Sequence, residues 1–229
     1  MSSIDFIKKR ILVVGANGML GQRVIEFYAP IFDIELLATS IEEKFVFEGL
    51  EYVQSDISNR TEIKKVIKDF CPDFIINAAA FTNVDLSETE RELAWKINVK
   101  GVEYLSESAR VLDSHLIHIS TEYIFDGKNG PYSENDIPNP LGYYARTKLA
   151  SENVLKISGI KYTILRTNVL YGTAKFSRPD FVKWVVDSLR AGKQIRIVDD
   201  QINNPTFIDD LVQGINKTLE LRKEGLYNI

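Results

Sequence analysis

Apolar residues recur along this chain in two rhythms. Runs such as Ile11, Leu12, Val13 and Val14 are continuous and β-branched, the mark of a strand covered on both faces. Positions such as Val24, Ile25, Phe27 and Tyr28 return instead at helical spacing. Read in order, the pattern predicts strands over 9–14, 34–40, 52–54, 74–80, 115–119, 161–166, 194–198 and 226–229. It predicts helices after residue 21, up to about residue 70, over 88–112, around Tyr144, and over 181–191 and 207–221. Alternation of this kind predicts an α/β fold, a Rossmann-type doubly wound parallel sheet. A soft boundary near Tyr171 divides a domain of residues 1–170 from a smaller lobe, 171–229.

The first strand stops at Gly15, Gly18 and Gly21, and a helix follows. In that context the glycine spacing points to a dinucleotide site; the alternative is an ordinary strand–helix turn. Gly15 would allow the tight turn, Gly18 the approach of a pyrophosphate, and Gly21 close packing of helix on strand. The second strand ends in Thr39 and Ser40, where an NAD site usually has an acid for the ribose 2′-hydroxyl. A carboxylate would repel a 2′-phosphate and Ser40 would donate to one, so NADP(H) is favoured over NAD(H). Glu42, Glu43 and Lys44 follow, with Lys44 read as a solvated loop residue. Asp56 either meets the adenine amine or caps the next helix. Ala78, Ala79 and Ala80 leave room for a cofactor at a strand's carboxyl end.

Composition narrows the partners. The net charge is −4, which advertises no basic surface for nucleic acid. The single cysteine, Cys71, fits a reducing cytoplasm. Residues 1–10 are polar, and no apolar run approaches the ~20 residues that cross a bilayer. His115 and His118 read as structural, because no Cys, Asp or Glu cluster joins them as metal ligands. Asn98, the polar member of an apolar helix, is expected to bond a neighbouring strand's backbone.

The chemistry centres on Tyr144 and Lys148, four residues apart and so on one helical face. An ammonium beside a phenol makes the phenolate easier to form. The pair would then exchange a proton near neutral pH, as carbonyl–alcohol interconversion needs.

Gly15, Gly18 and Gly21, then Asn77 to Ala80, then Ser120 to Gly127, then Tyr144 and Lys148 occur in an order that resembles the extended short-chain dehydrogenase/reductases. Stretches 77–85, 131–136, 139–152, 166–172 and 200–206 resemble the dTDP-4-dehydrorhamnose reductase group, a family of sugar-nucleotide reductases. The resemblance implies NAD(P)H-dependent reduction of a nucleotide-linked 4-keto-6-deoxysugar. It implies a triad in which Tyr144 protonates the oxygen, Lys148 binds the nicotinamide ribose and lowers the Tyr144 pKa, and Thr121 holds the ketone. Gly15, Asn17, Gly18, Met19, Leu20 and Gly21 would take the pyrophosphate. Ser40, Asp56, Ile57, Ala78, Ala79 and Ala80 would line the rest of the coenzyme, with Tyr144 and Lys148. Thr82, Val84, Thr121, Glu122 and Tyr123 would lie near the sugar. Ser177, Arg178 and the 201–205 loop are candidates for the nucleotide diphosphate. Glu122 replaces the family's common Asp, and Val169 an aromatic. The family also runs on beyond Ile229, so 171–229 is expected to be a partial substrate lobe. Two other readings stay open: a nucleotide-sugar epimerase or dehydratase that retains NAD, and a dinucleotide-binding regulatory subunit like that of methionine adenosyltransferase. Related proteins imply a homodimer through the helix at 95–109 and the Tyr144 helix; nothing in the sequence marks a divalent-ion site.

Overall fold

The structure is a computed structural model that describes residues 8–175, 180–199 and 201–229. Strand β1 (Lys9–Val14) is central because Ile11, Leu12, Val13 and Val14 find an apolar layer on both faces. Around it lie β2 (Ile34–Ser40), β3 (Glu51–Gln54), β4 (Phe74–Asn77), β5 (His115–Thr121) and β6 (Tyr162–Thr167). A short parallel pair stands apart, β7 (Leu170–Tyr171) with β8 (Thr206–Phe207). The last strand, β9 (Gly225–Asn228), rejoins the main sheet, whose order is β3-β2-β1-β4-β5-β6-β9 with every neighbour parallel.

Helix α1 (Met19–Tyr28) packs one face with Val24, Ile25 and Tyr28. On the other face α2 (Arg60–Phe70) presents Ile63, Val66, Ile67 and Phe70. The expected helix over 88–112 is broken into α3 (Val84–Thr89), α4 (Arg91–Trp95), a π turn over Lys96–Lys100 and α5 (Gly101–Leu112). Glu90 leaves the helical region at φ −95°, ψ 47°, and the π turn turns Asn98 inward. There its side chain accepts from Phe81 N (2.7 Å) and donates to Phe81 O (3.2 Å) and Thr147 Oγ1 (2.9 Å). π turns of this kind are common where a helix passes a functional site. Helix α6 (Tyr143–Ser158) follows β5, and α7 (Phe181–Arg190) and α8 (Ile208–Glu220) complete the chain.

Three expectations change. The 194–198 strand is absent: the segment is irregular, and Ile197 and Val198 stay 49% and 63% exposed instead of joining a sheet. Helix α2 is capped by Asn59, which accepts from Thr61 N and Glu62 N, whereas Asp56 closes its own turn onto Ser58. The division at 170/171 does not follow the packing. Helix α8 buries Leu211, Val212, Ile215 and Leu219 in the same core as α1, and β9 extends the main sheet. What stands outside that sheet is the β7–β8 pair with the described residues between them. Ser177 and Arg178 lie outside the described residues.

The glycine loop shows why two of its positions are fixed. Gly15 has φ +81°, and a Cβ there would meet Ala79 N at 2.6 Å. A Cβ on Gly21 would lie 2.2 Å from Gly15 O. That obstacle is backbone and has nowhere to go, whereas at Gly18 the nearest atom is 3.2 Å away. Gly21→Ala should therefore cost about 3 kcal/mol or more of stability by overpacking, and Gly18→Ala distinctly less. Urea denaturation of both variants measures the difference.

Candidate active site

The strand order reverses at β1 and β4, and there a cavity of about 570 Å³ opens over the carboxyl ends of the strands. A crevice at such a switch point is where open α/β sheets take ligands. Gly15, Gly18, Met19 and Leu20 form one wall, Ser40, Asp56 and Ile57 one end, and Ala78, Ala79 and Ala80 lie between. Thr82, Val84, Thr121, Glu122, Tyr123, Tyr144 and Lys148 line the other end. Helix α1 begins at Gly18, which has no side chain to cap it, so the first-turn amides remain for an anion. A glycine cradle that a Cβ would fill, beside an uncapped helix start, fits a dinucleotide pyrophosphate.

Two expected cofactor residues are not on the wall. Gly21 is spent on packing, as above. Asn17 is a strut: its Nδ2 donates to Lys44 O (2.9 Å) and Glu42 Oε2 (3.3 Å), and its Oδ1 accepts from Val46 N (3.3 Å). The cavity also includes Ile41, Glu42, Ile97, Asn168 and Leu170, which sequence reasoning did not assign. Glu42 was visible as an acid just beyond β2, but its loop position hid its direction.

Helix α6 supplies a stripe at four-residue intervals: Tyr144, Lys148 and Glu152. The lower end is clamped. Glu152 is fully buried, takes Arg166 Nε at 2.9 Å and Nη2 at 2.7 Å, and accepts from Ser120 Oγ at 2.7 Å. Arg166 lies with its guanidinium carbon 5.3 Å from the Phe125 ring centre, while its Nη1 is buried without a partner among the described residues. The clamp joins α6 to β5 and β6 directly below Thr121. Hydrogen bonds and the Arg166 charge hold the Glu152 carboxyl low against the opposing effect of its burial.

His118 settles the structural reading of that residue. Asn77 Oδ1 accepts from Ala79 N (3.1 Å), so Asn77 Nδ2 faces His118 Nδ1 (3.1 Å), which must carry the lone pair. Nε2 then holds the proton and donates to Ser151 Oγ (3.0 Å), and Ser151 donates to Lys148 O (2.7 Å). Burial and the nearby Lys148 charge both push the imidazole toward this neutral form. His115 likewise bonds Thr163 Oγ1 (2.8 Å).

The reacting groups behave differently from the sequence expectation. Lys148 Nζ donates to Ile119 O at 2.6 Å. Burial lowers its pKa to about 8, opposed by the Glu152 charge. Tyr144 is shifted upward, first by burial and then by Glu122 and Tyr123. The sequence led to an expectation of depression by Lys148; instead burial, then the neighbouring Glu122 and Tyr123, hold the phenol above its ordinary value, which favours the O–H. Glu122 is pushed up to about 7 by burial, against hydrogen bonds from its own backbone and Thr121. Thr121 Oγ1 donates to Glu122 Oε2 (2.9 Å) and accepts from Tyr123 N (3.2 Å), so its proton is already engaged.

The family profile described as RmlD substrate binding domain matches residues 9–228. The chain is 35% identical over 226 residues to the dTDP-4-dehydrorhamnose reductase of Aggregatibacter actinomycetemcomitans, covering 96% of this chain and 72% of that protein. A solved structure of a dTDP-4-dehydrorhamnose reductase from Clostridium acetobutylicum superposes with a TM-score of 0.85 at 32% identity, over 96% of this chain and 73% of that one. One from Bacillus anthracis in complex with NADP gives a TM-score of 0.81 at 32% identity, over 97% and 74%.

The clamp can be tested apart from any reaction. Glu152→Gln leaves the Arg166 charge buried and unpaired, and should cost about 3–5 kcal/mol in chemical denaturation. Replacing Glu152 and Arg166 together by Met should recover much of that loss.

Proposed function

The chain belongs to the RmlD substrate binding domain family, and from that premise we propose that it is an NAD(P)H-dependent reductase of a nucleotide-linked 4-keto-6-deoxysugar of the dTDP-4-dehydrorhamnose kind. The observation that carries this reading is the meeting of Tyr144, Lys148 and Thr121 in the cavity that also holds the glycine loop. The reduced dinucleotide, when bound, supplies the hydride.

The chain's own residues do the rest. The Met19 and Leu20 amides and the two wall glycines hold the pyrophosphate. Ala78, Ala79 and Ala80 make room for the nicotinamide half, and Lys148 holds its ribose. Tyr144, which keeps its proton, delivers it to the sugar C4 oxygen. Thr121 donates to the same oxygen once its bond to Glu122 is exchanged, and a Glu122 carboxyl titrating near neutrality makes that exchange cheap. Thr82, Val84 and Tyr123 flank the sugar. Asn168 and Leu170 carry the cavity toward β7, and the nucleotide end of the substrate is assigned to that side.

Between the two coenzymes, Ser40 at the end of β2 supports NADP(H), while Glu42, two residues on, supports NAD(H). Exposed Cys71, which has no disulfide partner, supports a cytoplasmic site. Val111 on α5 and Ile157 on α6 are 82% and 85% exposed, which supports a homodimer paired through those helices.

The direct test is oxidation of NADH or NADPH on addition of dTDP-4-dehydrorhamnose, followed by absorbance; folded protein that oxidises neither overturns the proposal. Tyr144→Phe should lower kcat by about 10²–10⁴ with coenzyme affinity, measured by calorimetry, unchanged. The Lys148 ammonium is present below its pKa of about 8 and lost above it. The kcat/KM profile should accordingly fall as pH rises through 8, and a profile flat to pH 10 would remove Lys148 from the chemistry.

A further inference from the structure

The adenosine end of the cavity is acidic. Glu42 and Asp56 both line it, and Lys148, at the opposite end, is the only cation among the described lining residues. Both hydroxyls at the end of β2 are already committed. Thr39 is fully buried and donates to Val53 O at 2.7 Å; Ser40 donates to Glu42 Oε2 at 2.5 Å. The Glu42 carboxylate is fixed from a second side by Asn17 Nδ2 at 3.3 Å, and the Tyr52 hydroxyl bonds its backbone carbonyl. Ser40 and Asn17 both bond Glu42 Oε2. Burial raises the pKa of this carboxyl, but the bonds from Ser40, its own backbone and Asn17 prevail and keep it ionised.

Two basic side chains of the flanking segments are engaged elsewhere. Lys175 Nζ lies 4.6 Å from the Phe47 ring centre. Arg23 is paired with Asp209 at 2.7 Å and with Glu26. Lys44 is not among the residues that line the cavity, and its carbonyl braces Asn17.

We propose that Glu42 sets the coenzyme choice of this chain, accepting from a free ribose 2′-hydroxyl and excluding a 2′-phosphate, so that NADH is preferred to NADPH. The inference rests on the cavity taking a nicotinamide dinucleotide, as proposed above. A free hydroxyl is a donor and finds an ionised carboxylate to accept its proton. A phosphomonoester carries about −1.5 to −2 charges at pH 7. It meets a fixed carboxylate and a serine whose proton is taken, and among the described lining residues the only cation, Lys148, stands at the far end. Glu42 also lies about 20 residues beyond the last loop glycine, the spacing at which an acid meets the ribose in dinucleotide sites, although it stands past the strand rather than on it. The same fold in the Bacillus anthracis relative holds NADP, so the choice is made by side chains, not by architecture.

Calorimetric binding, with no sugar present, tests this directly. The unmodified chain should bind NADH at least about tenfold more tightly than NADPH, and ADP-ribose more tightly than its 2′-phosphorylated form by a similar factor. Glu42→Gln removes the charge and Glu42→Ser also frees the Ser40 proton; each should tighten NADPH by about tenfold, with melting temperatures unchanged. Raising the salt concentration should narrow the gap for the unmodified chain. Equal or tighter binding of NADPH, or a ratio indifferent to both variants, overturns the assignment. The two proposals fail separately. NADH binding governed by Glu42 without reduction of any nucleotide ketosugar would uphold the assignment and reject the reductase; reduction that prefers NADPH would do the reverse. Failure of both coenzymes to bind rejects both.

Discussion

Glu152 receives Arg166 through two nitrogens and Ser120 through its hydroxyl, all inside the protein. Those three bonds fix the rotation and height of α6 against β5 and β6. Lys148 and Tyr144 are one and two turns up the same helical stripe, and Thr121 is the next residue along β5 from Ser120. A buried ion pair adds little net stability over a well-packed apolar substitute, because desolvation takes back most of the attraction. What it supplies is direction: a carboxylate with two filled oxygens and a forked guanidinium fit in one way. The position of the reacting groups depends on that fit more than on any apolar contact of α6, which buries small and polar residues along much of its length.

Water removal is the second constraint. The tyrosine is pushed toward the protonated form, Glu122 toward neutrality, and Lys148 down to about 8, in each case with burial as the largest cause. Desolvation disfavours whichever form carries charge, so it raises acids and lowers bases together. The outcome is a cluster whose net charge near neutral pH is small, with protons placed to be given rather than taken. That polarity suits addition of a proton to an oxygen that has just gained electrons. His118 belongs to the same economy of charge, held neutral between Asn77 and Ser151, where it ties the alanine floor of the cavity to the backbone of Lys148.

Much of this was legible in the chain. Continuous β-branched runs marked the central strands because a strand covered on both faces cannot alternate. The glycine loop was readable because close backbone approach leaves no substitute for glycine at Gly15 and Gly21. Tyr144 and Lys148 were marked by their spacing together with the motifs around them, and the structure brings both to the cavity. The misses have physical causes. The break at Glu90 and the π turn have no composition signature, since Asn98 pays for them by bonding Phe81 at a distance in sequence. The 194–198 segment has strand-like residues but pairs with no strand among the described residues. Thr121, Tyr144 and Lys148 could be located without revealing their protonation, because burial is a property of the assembled fold.

Coenzyme choice shows the same limit from another side. Counting residues to the end of β2 gives Ser40 and suggests room for a phosphate. On the proposal made above, that suggestion reverses, because the chain turns back past the strand and lays the Glu42 carboxylate on that hydroxyl. Ser40 can donate once, and a donor already spent on a carboxylate is no longer a phosphate site. A sequence position therefore carries chemistry only together with whatever claims its proton, and in this cavity the claimant sits two residues downstream, on a loop held down by Asn17 and Tyr52.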